Sequence, residues 1–316
     1  LLLSSAASDV YKRQDMMGSC RTPAAFANIY GFRPTPGIIP DYRLDNKKKN
    51  LPIISTPGCL ARTPNDMSIL LDVIVGKHKS DPVSSNLNGS FKETNIKDQD
   101  LLNIKIGWLS DMNGAYQYED EIIDICNKKL NSLEKNKIKV ENLKPKIDVL
   151  KLWDCWTTIR AKSIYEDIID MNINDINEMT PQAIWEYKKG IKIKGDDIQL
   201  ALNSRIELLS DLNKVFNNYD FLALPSQQTF PFDKNLKYPN KINKFETDTY
   251  HRWIEVHILA SLFYLPSISV PIGLNKDGFP IGIQIIGKQN EDLKLFAFAK
   301  KYEEMFEYNK KKPLLN

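Results

Sequence analysis

Apolar positions in the 316-residue chain follow two kinds of period, which alternate along it. From Met67 they recur as Met67, Leu70, Leu71 and Ile74, which predicts an amphipathic helix stopping at Gly76. Thr63-Pro64-Asn65-Asp66 in front of it reads as a capped start, with Asp66 able to reach back to the Thr63 backbone. The same helical period predicts helices over 119–135, 149–171, 181–189, 196–217 and 291–306, and one ending over 259–264. A short helix is expected over 23–30, with Thr22 as cap, Pro23 at its first position and Gly31 as its stop.

Short alternating or apolar runs predict strands over 104–109, near 138–140, and over 220–224, 267–270 and 281–286. The last two are joined by the turn Asn275-Lys276-Asp277-Gly278. Strand, helix and strand in succession over 104–140 point to an α/β fold. Residues 33–37, 41–52 and 80–100 read as turn or loop. The stretch 226–248 is long and has no period, which marks a loop that is functional or disordered. Its place after a core strand and before Tyr250-His251-Arg252-Trp253 suits a pocket wall. Trp153, Trp156, Tyr165 and Trp185 fall in the helical block, where they serve core packing or line a pocket.

Composition changes this picture little. The chain is 42% hydrophobic and 26% charged, ordinary for a globular protein. Its net charge of +3 gives no reason to expect nucleic acid or a membrane as partner. Cys20, Cys59, Cys126 and Cys155 are far apart, without metal-ligand or disulfide spacing, and fit a reducing cytoplasm. His251 and His257 are six residues apart, which does not bring them onto one helical face, so no metal site is expected.

Candidate chemistry starts at Gly18-Ser19. Gly18 permits a sharp turn, and Ser19 at that turn would stand beside backbone N–H groups with no helix or strand partner. A hydroxyl nucleophile next to oxyanion donors is what acyl transfer requires. The pair alone is far more often an ordinary turn and cap before a helix than a nucleophile.

The longer context is more specific. Three blocks carry it: Met17-Gly18-Ser19-Cys20-Arg21-Thr22-Pro23-Ala24-Ala25 with Gly31-Phe32-Arg33-Pro34-Thr35-Pro36-Gly37; Ser55-Thr56-Pro57-Gly58-Cys59-Leu60-Ala61-Arg62; and Leu265-Pro266-Ser267-Ile268-Ser269-Val270-Pro271-Ile272-Gly273 with Gly278-Phe279-Pro280-Ile281-Gly282-Ile283-Gln284. In order and content they resemble the amidase signature family. Met17 replaces a glycine of that pattern and Cys20 an aliphatic residue.

The resemblance implies an α/β/α fold with a central mixed β-sheet flanked by helices, incomplete at the N-terminus. It implies hydrolysis of a carboxylic amide to acid and amine or ammonia, with no cofactor and no metal. Ser19 falls on the nucleophile, and the backbone of Met16, Met17, Gly18 and Ser19 on the oxyanion donors. The pattern's lysine and second serine match no residue here, so the 316 residues alone are expected to be inactive. Residues 1–14 lack the Lys, Asn and Ile bias of the rest and are expected to be a non-native or disordered leader, with 15–316 as the amidase domain. The expected partners are a small-molecule amide and, at most, a second copy in a homodimer. The alternatives are the amidase component of a tRNA-dependent amidotransferase, a non-catalytic scaffold, and a hydrolase using Cys20.

Overall fold

A computed structural model describes residues 10–41, 51–171 and 176–310. Most of the polar loop expected over 41–52, and residues 1–9, lie outside them. The strands in chain order are β1 (Val10–Asp15), β2 (Tyr30–Arg33), β3 (Thr56–Ala61), β4 (Lys105–Trp108), β5 (Lys139–Asn142), β6 (Phe221–Pro225), the two-residue pair β7 (Lys241–Ile242) and β8 (Phe245–Glu246), β9 (Ser267–Leu274) and β10 (Pro280–Ile286). The principal helices are α1 (Arg21–Ala27), α2 (Pro64–Ile74), α3 (Ile122–Lys135), α4 (Val149–Asp170), α5 (Pro181–Gly190), α6 (Gly195–Phe216), α7 (Ile258–Leu262) and α8 (Asp292–Phe306).

Eight strands form one mixed sheet in the order β1-β3-β2-β9-β10-β6-β4-β5. The pairs of β4 with β5 and β6 are parallel, as the strand–helix–strand order predicts, and the other pairs are antiparallel. The two-residue side-chain period of β6 divides the core. Phe221 and Ala223 enter a cluster with Ile122, Leu130, Phe296 and Phe298 of α3 and α8. Leu222 and Leu224 enter one with Trp156, Leu208, Leu212 and Leu259 of α4, α6 and α7. Helices therefore cover both faces, the α/β/α layering expected from the sequence.

Residues 10–14 do not lie outside the fold: β1 pairs with β3 from Val10↔Ala61 to Asp15↔Thr56. Compositional bias reports on side chains, whereas a ladder is made by the backbone, and this one extends the sheet to an edge. The loop 226–248 carries the small β7–β8 hairpin.

α2 starts as its sequence predicts. The Thr63 Oγ1 accepts from the Asp66 N–H at 3.0 Å, though the Asp66 carboxylate accepts from the Thr63 hydroxyl rather than its backbone. α1 does not: Thr22 is not its cap, and it closes at Asn28 in the left-handed conformation, leaving Gly31 to β2.

Candidate active site

β1 delivers Asp15 to the interior, and the chain then turns through residues 16–20 into α1. Asp15 is fully buried and organises that turn. Its Oδ1 accepts from the Gly18 N–H at 2.9 Å and its Oδ2 from the Cys20 N–H at 3.0 Å. Arg21, equally buried, closes on the same carboxylate with Nη2 at 2.8 Å from Oδ1 and Nε at 3.1 Å from Oδ2. This two-point, charge-assisted geometry is the strong form of the pair. Burial alone would raise the Asp15 carboxyl, but the Arg21 guanidinium, helped by Arg33, more than offsets it and holds Asp15 well below the usual carboxylate range.

The far side of Arg21 is tied to the C-terminal third of the chain. Its Nη1 donates to Gln284 Oε1 on β10 at 2.9 Å, and its Nη2 to Ser261 Oγ on α7 at 3.1 Å. Arg33 donates to the Asp15 carbonyl at 2.8 Å. The turn is thus fixed from both ends of the sequence.

Gly18 has φ +84°, and a Cβ there would lie 2.1 Å from a carbon of the His257 ring. Only glycine fits both the backbone and that contact. His257 is fully buried and pushed down to about 3 by burial and by the charge of Arg21, so its ring is neutral at neutral pH. Gln284 Oε1 lies 3.3 Å from its Nδ1, which makes Nδ1 the protonated nitrogen and leaves Nε2 to accept from the Thr22 hydroxyl at 2.7 Å. That bond takes Thr22 away from the capping role its position suggests.

Ser19 is half-buried at the apex of this turn. It lies on the wall of a cavity of about 540 Å³, whose other walls include Phe26 of α1, Phe232 of the 226–248 loop, and Trp253. The structure thus brings Ser19 and the long loop together. The expected oxyanion donors divide. The Gly18 N–H is already given to Asp15, a correction at that residue, while the N–H groups of Met16, Met17 and Ser19 donate to no described residue.

Cys20 cannot serve as a nucleophile. It is fully buried in a small cluster with Ala24 and Leu60, its thiol directed to the Arg13 carbonyl. Burial, reinforced by the Asp15 charge, keeps that thiol protonated. Of the two readings of Trp153, Trp156, Tyr165 and Trp185, lining the cavity beside Ser19 does not hold, since none of them is in its wall. Trp156 packs edge-on against His251, and Tyr165 lies tilted against Tyr187. Among the described residues no group of histidine, cysteine and carboxylate side chains could hold a metal ion.

A second buried network braces the front of the turn. Arg160 on α4 contacts the Met16 sulfur at 2.6 Å with Nη1, and donates to Glu186 on α5 and to the Tyr250 hydroxyl. Glu186 also accepts from His251 at 2.7 Å. Burial opposes ionisation of Glu186, but the His251 hydrogen bond and the Arg160 charge bring its carboxyl down to about 2. Neither this network nor the roles of His257 and Gln284 is signalled by local sequence. The nearest available signal was Asp15 itself, six residues before Arg21.

Residues 14–296 match the sequence profile of the family described as Amidase. The chain is 23% identical over 312 residues to a component of the glutamyl-tRNA(Gln) amidotransferase of Treponema denticola, covering 91% of this chain and 62% of that protein. It is 23% identical over 308 residues to an acylamidase of Rhodococcus erythropolis, covering 95% and 62%. A bacterial aryl acylamidase of the amidase signature enzymes superposes with a TM-score of 0.83 at 23% identity, covering 99% of this chain and 66% of that one. The chain therefore spans somewhat less than two thirds of the length of these relatives.

Proposed function

Because the chain belongs to the amidase family, we propose that it carries the nucleophile of an amidase, with Ser19 forming the acyl-enzyme. The observation that carries this reading is the placement of Ser19 on the cavity wall, at the apex of a turn held by the buried Asp15–Arg21 pair. In the reaction the Ser19 hydroxyl adds to the amide carbon as its proton passes to a base. The N–H groups of Met16, Met17 and Ser19 are the candidates to receive the developing oxyanion. Collapse expels the amine or ammonia, and water then releases the acid and frees Ser19. His257, neutral and tied to Thr22 and Gln284, is not that base. The resemblance assigns the base to a lysine acting through a second serine.

In this reading the described residues from Val10 onward form one domain and the protein works in the cytoplasm, for which the four buried free cysteines speak. No described helix is long and apolar enough to cross a membrane. A second reading, the amidase component of a tRNA-dependent amidotransferase, is favoured by the relatives that bear that name. Glutamine hydrolysis that depends on added partner proteins would select it over simple amide turnover.

The test is made in the protein that carries this sequence, with a chromogenic anilide and a fluorophosphonate probe. Ser19→Ala is expected to abolish both turnover and labelling. Turnover that survives Ser19→Ala unchanged would refute the assignment.

A further inference from the structure

The cavity beside Ser19 joins two features that bear on what enters it. Phe26, Phe232 and Trp253 are half-buried and meet one another at ring-centroid distances of 6.1, 6.5 and 5.4 Å. Phe232 meets both partners edge to face, at 83° and 90°. All three rings line the cavity, and a flat apolar group is the natural guest of such an aromatic corner.

The second feature is charge. Arg13, Lys234 and Lys237 are the ionisable residues that line the cavity, and no carboxylate lines it. Lys234 and Lys237 are exposed, and no ion pair within the described residues engages either. Asp233, next to them in sequence, turns instead into its own loop, accepting from the Asn235 N–H at 2.8 Å. The chain as a whole carries only +3 over 316 residues, so this is a local accumulation rather than a sample of the average surface.

We infer that the amide taken by this site is an aryl amide bearing an anionic group. The aromatic ring sits among Phe26, Phe232 and Trp253, and the carboxylate faces Lys234 and Lys237. The inference rests on the reading of Ser19 as nucleophile, which sets the end of the cavity where the scissile amide lies. Because the lysines are at the rim, their contribution is modest, salt-sensitive and confined to binding.

The experiment compares three acetanilides differing only in the para substituent: 4-acetamidobenzoate, neutral 4-methylacetanilide, and the cationic 4-trimethylammonio compound. In the protein that carries this chain, kcat/KM is expected to fall in that order, with the difference in KM. Lys234→Gln/Lys237→Gln is expected to cut the preference for the anionic over the neutral amide by about three- to tenfold. Phe232→Ala is expected to raise KM for all three. Equal use of the cationic and anionic amides, or a preference unmoved by loss of both lysines, overturns the inference. If none is turned over, the reading of Ser19 falls, and calorimetric binding of the same compounds to Ser19→Ala decides this point. Tighter binding of 4-acetamidobenzoate that weakens in the double-lysine variant supports it, and binding blind to charge overturns it.

Discussion

Arg21→Met removes the cation from a pair in which both side chains are 0% exposed. Asp15 then loses two charge-assisted hydrogen bonds but keeps the N–H groups of Gly18 and Cys20 and the nearby charge of Arg33. Breaking a buried pair by removing one partner costs about 3–5 kcal/mol. The surviving partners of Asp15 place this case near the lower figure, about 3 kcal/mol. For a chain of 316 residues that is a fall in melting temperature of about 4–5 °C, readable by calorimetry. Asp15→Asn/Arg21→Met leaves no unpaired carboxylate, only the buried Arg33 cation that Asp15 had faced, and is expected to recover about 1 kcal/mol relative to the single variant. The rate of fluorophosphonate labelling should follow, because the Gly18 and Cys20 amides are held by the same carboxylate. A loss below about 1 kcal/mol in Arg21→Met, the worth of an exposed pair, would refute the reasoning. So would a double variant whose loss equals the sum of the two singles.

Gly18→Ala forces an L side chain into φ +84° and against a ring held by Thr22 and Gln284. A loss of at least about 2 kcal/mol and a strong drop in Ser19 labelling are expected, and unchanged labelling would show that the turn is not rigid. Glu186 titrates near 2 in the folded state against about 4.3 unfolded, so it contributes stability above about pH 4.5 that is lost as pH falls toward 2. The amount is about 3 kcal/mol, and Glu186→Gln should flatten that part of the acid-unfolding curve. A curve equally steep in the variant would rule it out.

The helices and the C-terminal strands were legible because their periods are long and regular. β1 and β3 were not. Thr56–Ala61 contains Pro57 and Gly58, poor strand residues by composition. Both have local reasons that only the register reveals. β2 pairs with residues 59–61, so Pro57 is spared a donor on that side. Gly58 is where a Cβ would lie 2.3 Å from the Phe32 carbonyl oxygen. The Ser19 turn could be read from Gly18-Ser19 and its flanking blocks. Its supports could not, because His257, Ser261 and Gln284 lie more than two hundred positions along the chain. The two readings left open for the tryptophans have the same origin: an aromatic on a helix face gives no sign of whether that face meets a cavity or another helix.

The span between Arg21 and its distant partners also sets an order in time. Arg21 leaves the ribosome together with Asp15, but the His257 carbonyl that Arg21 also reaches is 236 residues away. At about 5–20 residues per second, the pair waits on the order of ten seconds or more for the strand and helix that enclose it. Through that interval both ions stay hydrated, and the helix after Ser19 lacks β9 and β10, two of the three strands it packs against. β9 and β10 are therefore late arrivals relative to Arg21 that convert a solvated ion pair into a dry one, and the Ser19 turn takes its final shape only once they have been made. A nascent chain arrested before β10 should leave Ser19 unlabelled by the fluorophosphonate probe, however well its N-terminal strands have paired.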